Sequence, residues 1–111
     1  MGNIVVNGRT IEVNEEGYLS NEGDWSEDVA HTLADAEGIA MTGQHWEIVH
    51  FLREYYKMHQ IAPMIKILLK TVGQKIGPDS GPMHYVYALF PDGPAKQACK
   101  IAGLPRPTGC V

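Results

Sequence analysis

The sequence predicts a mainly α protein: a small helical bundle with a helix-turn-helix-like portion, an N-terminal β-hairpin and a mobile C-terminal arm. Three observations lead there. Segments with apolar residues at helical spacing follow one another between glycine and proline stops; β-branched residues flank an Asn7-Gly8 dipeptide near the start; and alternate prolines close the chain. With 111 residues, 44% of them hydrophobic and 20% charged, the chain suffices for one domain with a single modest core.

The elements follow in order. "NIVVNGRTIEV" places two strands around Asn-Gly, the dipeptide that suits a type I′ turn. "NEEGYLSNEGDW" is a turn-rich connection. A first helix is expected from Ser26, as N-cap, to Glu37, with Gly38 as its stop. A second starts after Thr42 and runs to about His59, with Ile48, Val49, Leu52, Tyr55 and Tyr56 on one stripe and Glu47, His50, Glu54 and Lys57 opposite. In "IAPMIKILLKTVGQKIG", Pro63 is expected as the first helical residue; Ile65, Leu68, Leu69, Val72 and Ile76 share a face, and Lys66, Lys70 and Lys75 fall to solvent. Gly73 inside this helix costs about 1 kcal/mol relative to alanine, which marks close packing of a neighbour. "SGPMHYVYALFP" reads as a short helix buried nearly all round, entered at Pro82 and ended by Pro91, and "GPAKQACKIAG" as a last helix from Pro94 to Gly103. The packed domain is thus expected over 1–103 and the arm over 104–111. No internal repeat or low-complexity tract is present.

The net charge of −4 conceals an asymmetry. Met1 to His50 carries Arg9 against ten acidic residues, whereas Phe51 to Val111 carries eight basic residues against Glu54, Asp79 and Asp92, a split of −9 against +5. The basic half holds both cysteines, so Lys96, Lys100 and Arg106 are the expected docking charges for an acidic partner. The opening residues show no charged segment followed by an apolar one, and no stretch reaches the roughly 18 apolar residues of a membrane span, so a cytoplasmic, non-membrane protein is expected. In that reducing compartment two cysteines are reactive, metal-binding or inert rather than permanently bridged.

The cysteines are Cys99 on the last helix and Cys110 at the penultimate position. Ala95, Ala98, Cys99 and Ala102 share a face, with Lys96, Gln97 and Lys100 pointing elsewhere. An inert core cysteine fits that face, but its small neighbours also leave room for another backbone to lie close. After Gly103 the chain reads Leu-Pro-Arg-Pro-Thr-Gly-Cys-Val, in which the prolines favour an extended arm reaching roughly 22 Å at about 3.1 Å per residue. Gly103 and Gly109 are the expected hinges. Such an arm either projects Cys110 into another protein or folds back to Cys99; fraying accounts for mobility but not for an exposed thiol. Lys96 and Lys100 favour a Cys99 thiolate while the helix C-terminus disfavours it, so the activating environment is expected from partners.

The C-terminal "GPAKQACKIAGLPRPTGCV", with "EEGYLSN", "DW", "HW", "FLREYY" and "IAP", resembles the DsrC/TusE family of sulfur-relay proteins, also called the gamma subunit of dissimilatory sulfite reductase. The family's penultimate cysteine falls on Cys110. The second cysteine, typical of the DsrC branch and lacking in TusE-type carriers of tRNA 2-thiouridine synthesis, falls on Cys99. The resemblance implies a sulfurtransferase-like carrier with Cys110 as persulfide carrier, loaded by DsrEFH or TusBCD-type transferases, and Cys99 as the resolving thiol. It further implies a Cys99–Cys110 trisulfide or disulfide with sulfite reductase DsrAB as partner, and electron exchange with a membrane-bound DsrMKJOP-type complex. The DsrC role is the first expectation and the TusE role its alternative.

Rival chemistries are less well supported. His45 and His50 stand five apart and do not share a helix face, so no metal is expected, and no cofactor. Gly73, Gly77 and Gly81 lack the strand and lysine of a phosphate loop. The helices joined by "HQIAP" resemble a DNA-binding helix-turn-helix with Lys57, Lys66, Lys70 and Lys75 toward phosphates, but the acidic balance argues against DNA. A dithiol oxidoreductase would need a Cys-x-x-Cys at a helix start.

Overall fold

The structure, a computed structural model, describes residues 2–63 and 65–107. Strands β1 (Gly2–Val6) and β2 (Arg9–Val13) pair antiparallel, with Val6 opposite Arg9 and Gly2 opposite Val13. Asn7 and Gly8 take positive φ of 52° and 80°, the type I′ geometry expected of Asn-Gly. Alternation turns Val6, Ile11 and Val13 inward and leaves Val5 in solvent.

Helix α1 (Glu27–Ala36) starts where Ser26 Oγ accepts the Val29 N–H at 3.2 Å. It stops at Gly38, where the Ile39 N–H returns to the Ala34 carbonyl at 2.9 Å. Helix α2 (Gly43–His59) opens with a reciprocal cap, the Thr42 N–H donating to His45 Nδ1 at 3.1 Å. His45 is buried, its Nε2 lying 2.9 Å from the Leu89 carbonyl. Ile48, Val49 and Leu52 are buried as the stripe predicts, while Tyr55 and Tyr56 are half-buried.

Helix α3 spans Ile65–Ile76, so Pro63 precedes the helix rather than opening it. Leu68 and Val72 are core, and Lys66, Lys70 and Lys75 are exposed. Helix α4 (Pro82–Leu89) differs from its all-round apolar pattern: only Val86 is fully buried, and Met83 and Tyr87 are exposed. It packs on α3 and α5, and its Leu89 carbonyl meets His45 of α2, while the side that carries Met83 and Tyr87 faces solvent. Helix α5 (Pro94–Ile101) runs through the middle of the bundle, against α1, α2, α3 and α4. Gln97, expected to point away from the core, is therefore buried; it accepts the Asp92 N–H and donates to Glu37 Oε1, both at 3.1 Å. The room around its alanines is taken by helix packing: α1 lies against α5 with its own Ala30 and Ala34 fully buried.

Candidate functional site

Helix α5 ends inside the protein, so the carbonyls of its last turn need donors other than water. The Leu104 N–H donates to the Cys99 carbonyl at 3.0 Å and the Gly103 N–H to the Lys100 carbonyl at 3.1 Å, the paired bonds of a Schellman turn. The next two carbonyls are reached by side chains from elsewhere. Trp25 Nε1 donates to Ile101 at 2.9 Å, and an Arg53 guanidinium nitrogen donates to Ala102 at 2.8 Å. The guanidinium lies 4.0 Å over the Trp25 ring and 3.7 Å from the Glu22 carboxylate. Burial lowers the Arg53 pKa from its ordinary value while Glu22 opposes the shift; the group stays charged.

Gly103 is required here twice. Its φ of +74° is left-handed, and a Cβ would overlap Trp25 Cδ1 and lie 2.8 Å from Cγ. The hinge expected at Gly103 thus sits in a turn closed by two hydrogen bonds and covered by an indole. Leu104, counted with the arm by the proline pattern, is 1% exposed and belongs to the core. Burying a leucine contributes about 1.5–3 kcal/mol, enough to hold the first arm residue down. Pro107 is buried as well, and Pro105, Arg106 and Pro107 share a cleft with Tyr56, Gln60, Ile61 and Ala62. Cys110 and the second expected hinge, Gly109, lie outside the described residues. Three residues beyond Pro107, Cys110 is tethered within about 11 Å of it, half the reach counted from Leu104.

Cys99 is fully buried on α5. Tyr18 sits beside it: the phenol donates to the Lys96 carbonyl at 3.2 Å, and its pKa is pushed up from 10.0 to about 12, first by burial and next by the negative charge of a Cys99 thiolate, with Glu16 and Glu37 adding and Arg106 opposing. Of the expected docking charges, Lys100 lies 3.7 Å from Glu37 and 5.4 Å over the Tyr18 ring, and Arg106 lies 3.2 Å from Glu16. The same crossing of basic and acidic halves recurs at Arg53–Glu22 and Lys75–Glu47. Part of the charge asymmetry is therefore neutralised within the molecule, and of the three expected docking charges Lys96 makes no ion pair among the described residues. No three His, Cys, Asp or Glu side chains among the described residues converge as metal ligands.

A model for "DsrC like protein" matches residues 5–111. The chain belongs to the DsrC-like family. Among its relatives, sulfurtransferase TusE of Photorhabdus laumondii is 48% identical over 108 residues, 97% of each protein. The solution structure of DsrC from Allochromatium vinosum is 53% identical with a TM-score of 0.87, covering 98% of this chain and 97% of that one. The crystal structure of the oxidised gamma subunit of the dissimilatory sulfite reductase (DsrC) from Archaeoglobus fulgidus is 40% identical with a TM-score of 0.88, covering 99% and 100%. The DsrC-like family is one of sulfur-relay proteins.

Trp25, Arg53 and Tyr18 escape a reading by motif alone. "DW", "FLREYY" and "EEGYLSN" contain them, yet no chemistry attaches to them until α5 is placed. Arg53 does carry a signal: it follows Val49 by one helical turn, on the buried stripe, where a cation needs a partner.

Two results are expected in this DsrC-like chain. Gly103→Ala combines left-handed strain with overpacking against Trp25 and costs about 2–4 kcal/mol in denaturant unfolding. Because the Tyr18 phenol is protonated more tightly when folded, its contribution is complete below pH 10.0 and is lost as pH rises toward about 12. Unfolding free energy measured across that window should fall less steeply in Tyr18→Phe than in the parent.

Proposed function

We propose that the chain is a TusE-type sulfur carrier that holds sulfane sulfur as a persulfide on Cys110 and delivers it toward tRNA 2-thiouridine synthesis. The observation that carries this reading is the naming of curated relatives at 44–50% identity, over nearly the whole chain, as sulfurtransferase TusE. Their names favour it over the sulfite-reductase role that the two cysteines first suggest. In the loading step the Cys110 thiolate attacks the outer sulfur of a donor persulfide; that S–S bond breaks, a new one forms on Cys110, and the donor leaves as thiolate. No outside oxidant is needed. TusBCD-type transferases are the proposed donors, and the cytoplasm the proposed compartment. No helix among the described residues is long and apolar enough to cross a membrane.

One observation favours a second reading. Cys99 is the cysteine of the DsrC branch, and a DsrC structure is 53% identical to this chain. In that reading the chain is a co-substrate of sulfite reductase DsrAB, loaded by DsrEFH and re-reduced through a DsrMKJOP-type complex. Attack of Cys99 on the inner sulfur of the Cys110 persulfide would then form a disulfide and release hydrogen sulfide. Cys99 is fully buried, so this step requires its cover to open. Common to both readings is a carrier segment beyond Pro107, with Gly109 as its proposed hinge.

Sodium tetrasulfide treatment followed by peptide mass analysis tests the shared step. Cys110→Ser should lose the persulfide entirely, while Cys99→Ser should load normally but form no internal bridge. Normal loading of Cys110→Ser would sink the carrier assignment. Between the readings, an internal Cys99–Cys110 bond in the loaded parent protein supports the DsrC role, and its absence supports the TusE role.

A further inference from the structure

Neither Trp25 nor Arg53 is a nucleophile or lies on the arm, yet between them they occupy the two carbonyls at which the chain turns out of α5. Trp25 comes from the loop before α1 and Arg53 from α2, elements remote in sequence from the arm. Their bonds to Ile101 and Ala102 run at 2.9 and 2.8 Å, the indole fills the space over Gly103, and the guanidinium stacks on the indole at 4.0 Å. Glu22, at 3.7 Å, holds the guanidinium from its far side. Folding alone does not need this arrangement. The Schellman bonds already end the helix, and any two neutral donors would satisfy the pair of buried carbonyls that remain. What the two side chains add is direction: each fixes one carbonyl plane, and so the dihedral angles through which Leu104 leaves.

We propose that Trp25 and Arg53 are positioning residues for the carrier thiol, clamping the last turn of α5 so that the arm departs along one fixed path. The proposal rests on Cys110 being the carrier. Chain length keeps Cys110 within about 11 Å of Pro107, so the positions open to the thiol are set by where Pro107 is held; a looser take-off enlarges that set and lowers the thiol's effective concentration at any acceptor. The clamp therefore acts on delivery between proteins and leaves the thiol's intrinsic reactivity alone.

The test uses the full chain in a Cys99→Ala background, with one spin label on Cys110 and a second on Lys66→Cys, at an exposed site of α3. Pulsed electron–electron resonance then reads the distance distribution between them. Trp25→Phe keeps an aromatic ring and removes the donor; Arg53→Gln removes the charge and the stack. Each should broaden the distribution about twofold, and Arg53→Lys should fall between Arg53→Gln and the parent. The rate of Cys110 alkylation by iodoacetamide should not change. A residue that only stabilises the fold would lower the melting temperature and leave the distribution as it was. Distributions equally wide in parent and variants overturn the proposal. Should either variant fail to fold, Glu22→Gln loosens Arg53 from a half-exposed position, and absence of broadening there overturns it equally. Tetrasulfide loading of Cys110 is read separately on the parent: failure to load removes the carrier reading, whatever the distances show.

Discussion

A helix that ends inside a protein leaves carbonyl oxygens that water cannot reach, and satisfying them at the end of α5 organises much of this molecule. Two are closed by the chain itself, through the turn at Gly103. Two are closed by Trp25 and Arg53, which draws the loop before α1 and the middle of α2 onto the same few atoms. Glycine is needed at 103 because the indole occupies the place of a Cβ, and Leu104 is driven into the core because the turn aims it there. The site at which the arm departs is thus one of the most constrained parts of the fold.

The placement of α5 explains the rest. As the helix in the middle of the bundle it carries small residues where α1 lies close, and it buries Cys99 and Gln97 together. Glu37 stands at the edge of this packing, accepting from Gln97 and facing Lys100. Charges that look like an external docking field in the sequence are in part internal fasteners between the acidic first half and the basic second half. The exposed pairs among them, Arg106–Glu16 and Lys75–Glu47, contribute little each, about 0–1 kcal/mol, but they consume charge that would otherwise face a partner.

Local chemistry made most elements legible. Asn7-Gly8, Ser26, Thr42, Gly38 and Gly103 each announce a turn or a helix end through a requirement of their own backbone, and each stands where the sequence puts it. Misreadings came from questions that only neighbours answer. The apolar pattern of α4 cannot tell that one side goes uncovered, and the polarity of Gln97 cannot tell that Asp92 and Glu37 await it. Pro63 stands before the helix that its residue type could have opened. Prolines at 105 and 107 predict an extended arm, but whether it stands free depends on Leu104 and on Tyr56, Ile61 and Ala62, which belong to another part of the chain. The two thiols were legible as chemistry; Trp25 was not, and Arg53 was legible only as a cation on the buried stripe, because the carbonyls that both reach are brought to them by the assembled tertiary structure.

The claim on which the account turns is that Cys110 carries sulfur, and the most direct measurement is the intact mass of the protein as isolated from cells, mapped by peptide analysis without reductant. The account predicts a fraction of molecules heavier by roughly 32 Da, with the added sulfur on the peptide containing Cys110 and removed by dithiothreitol. Added sulfur confined to Cys99, or protein isolated from sulfur-replete cells with no added mass at all, would contradict it.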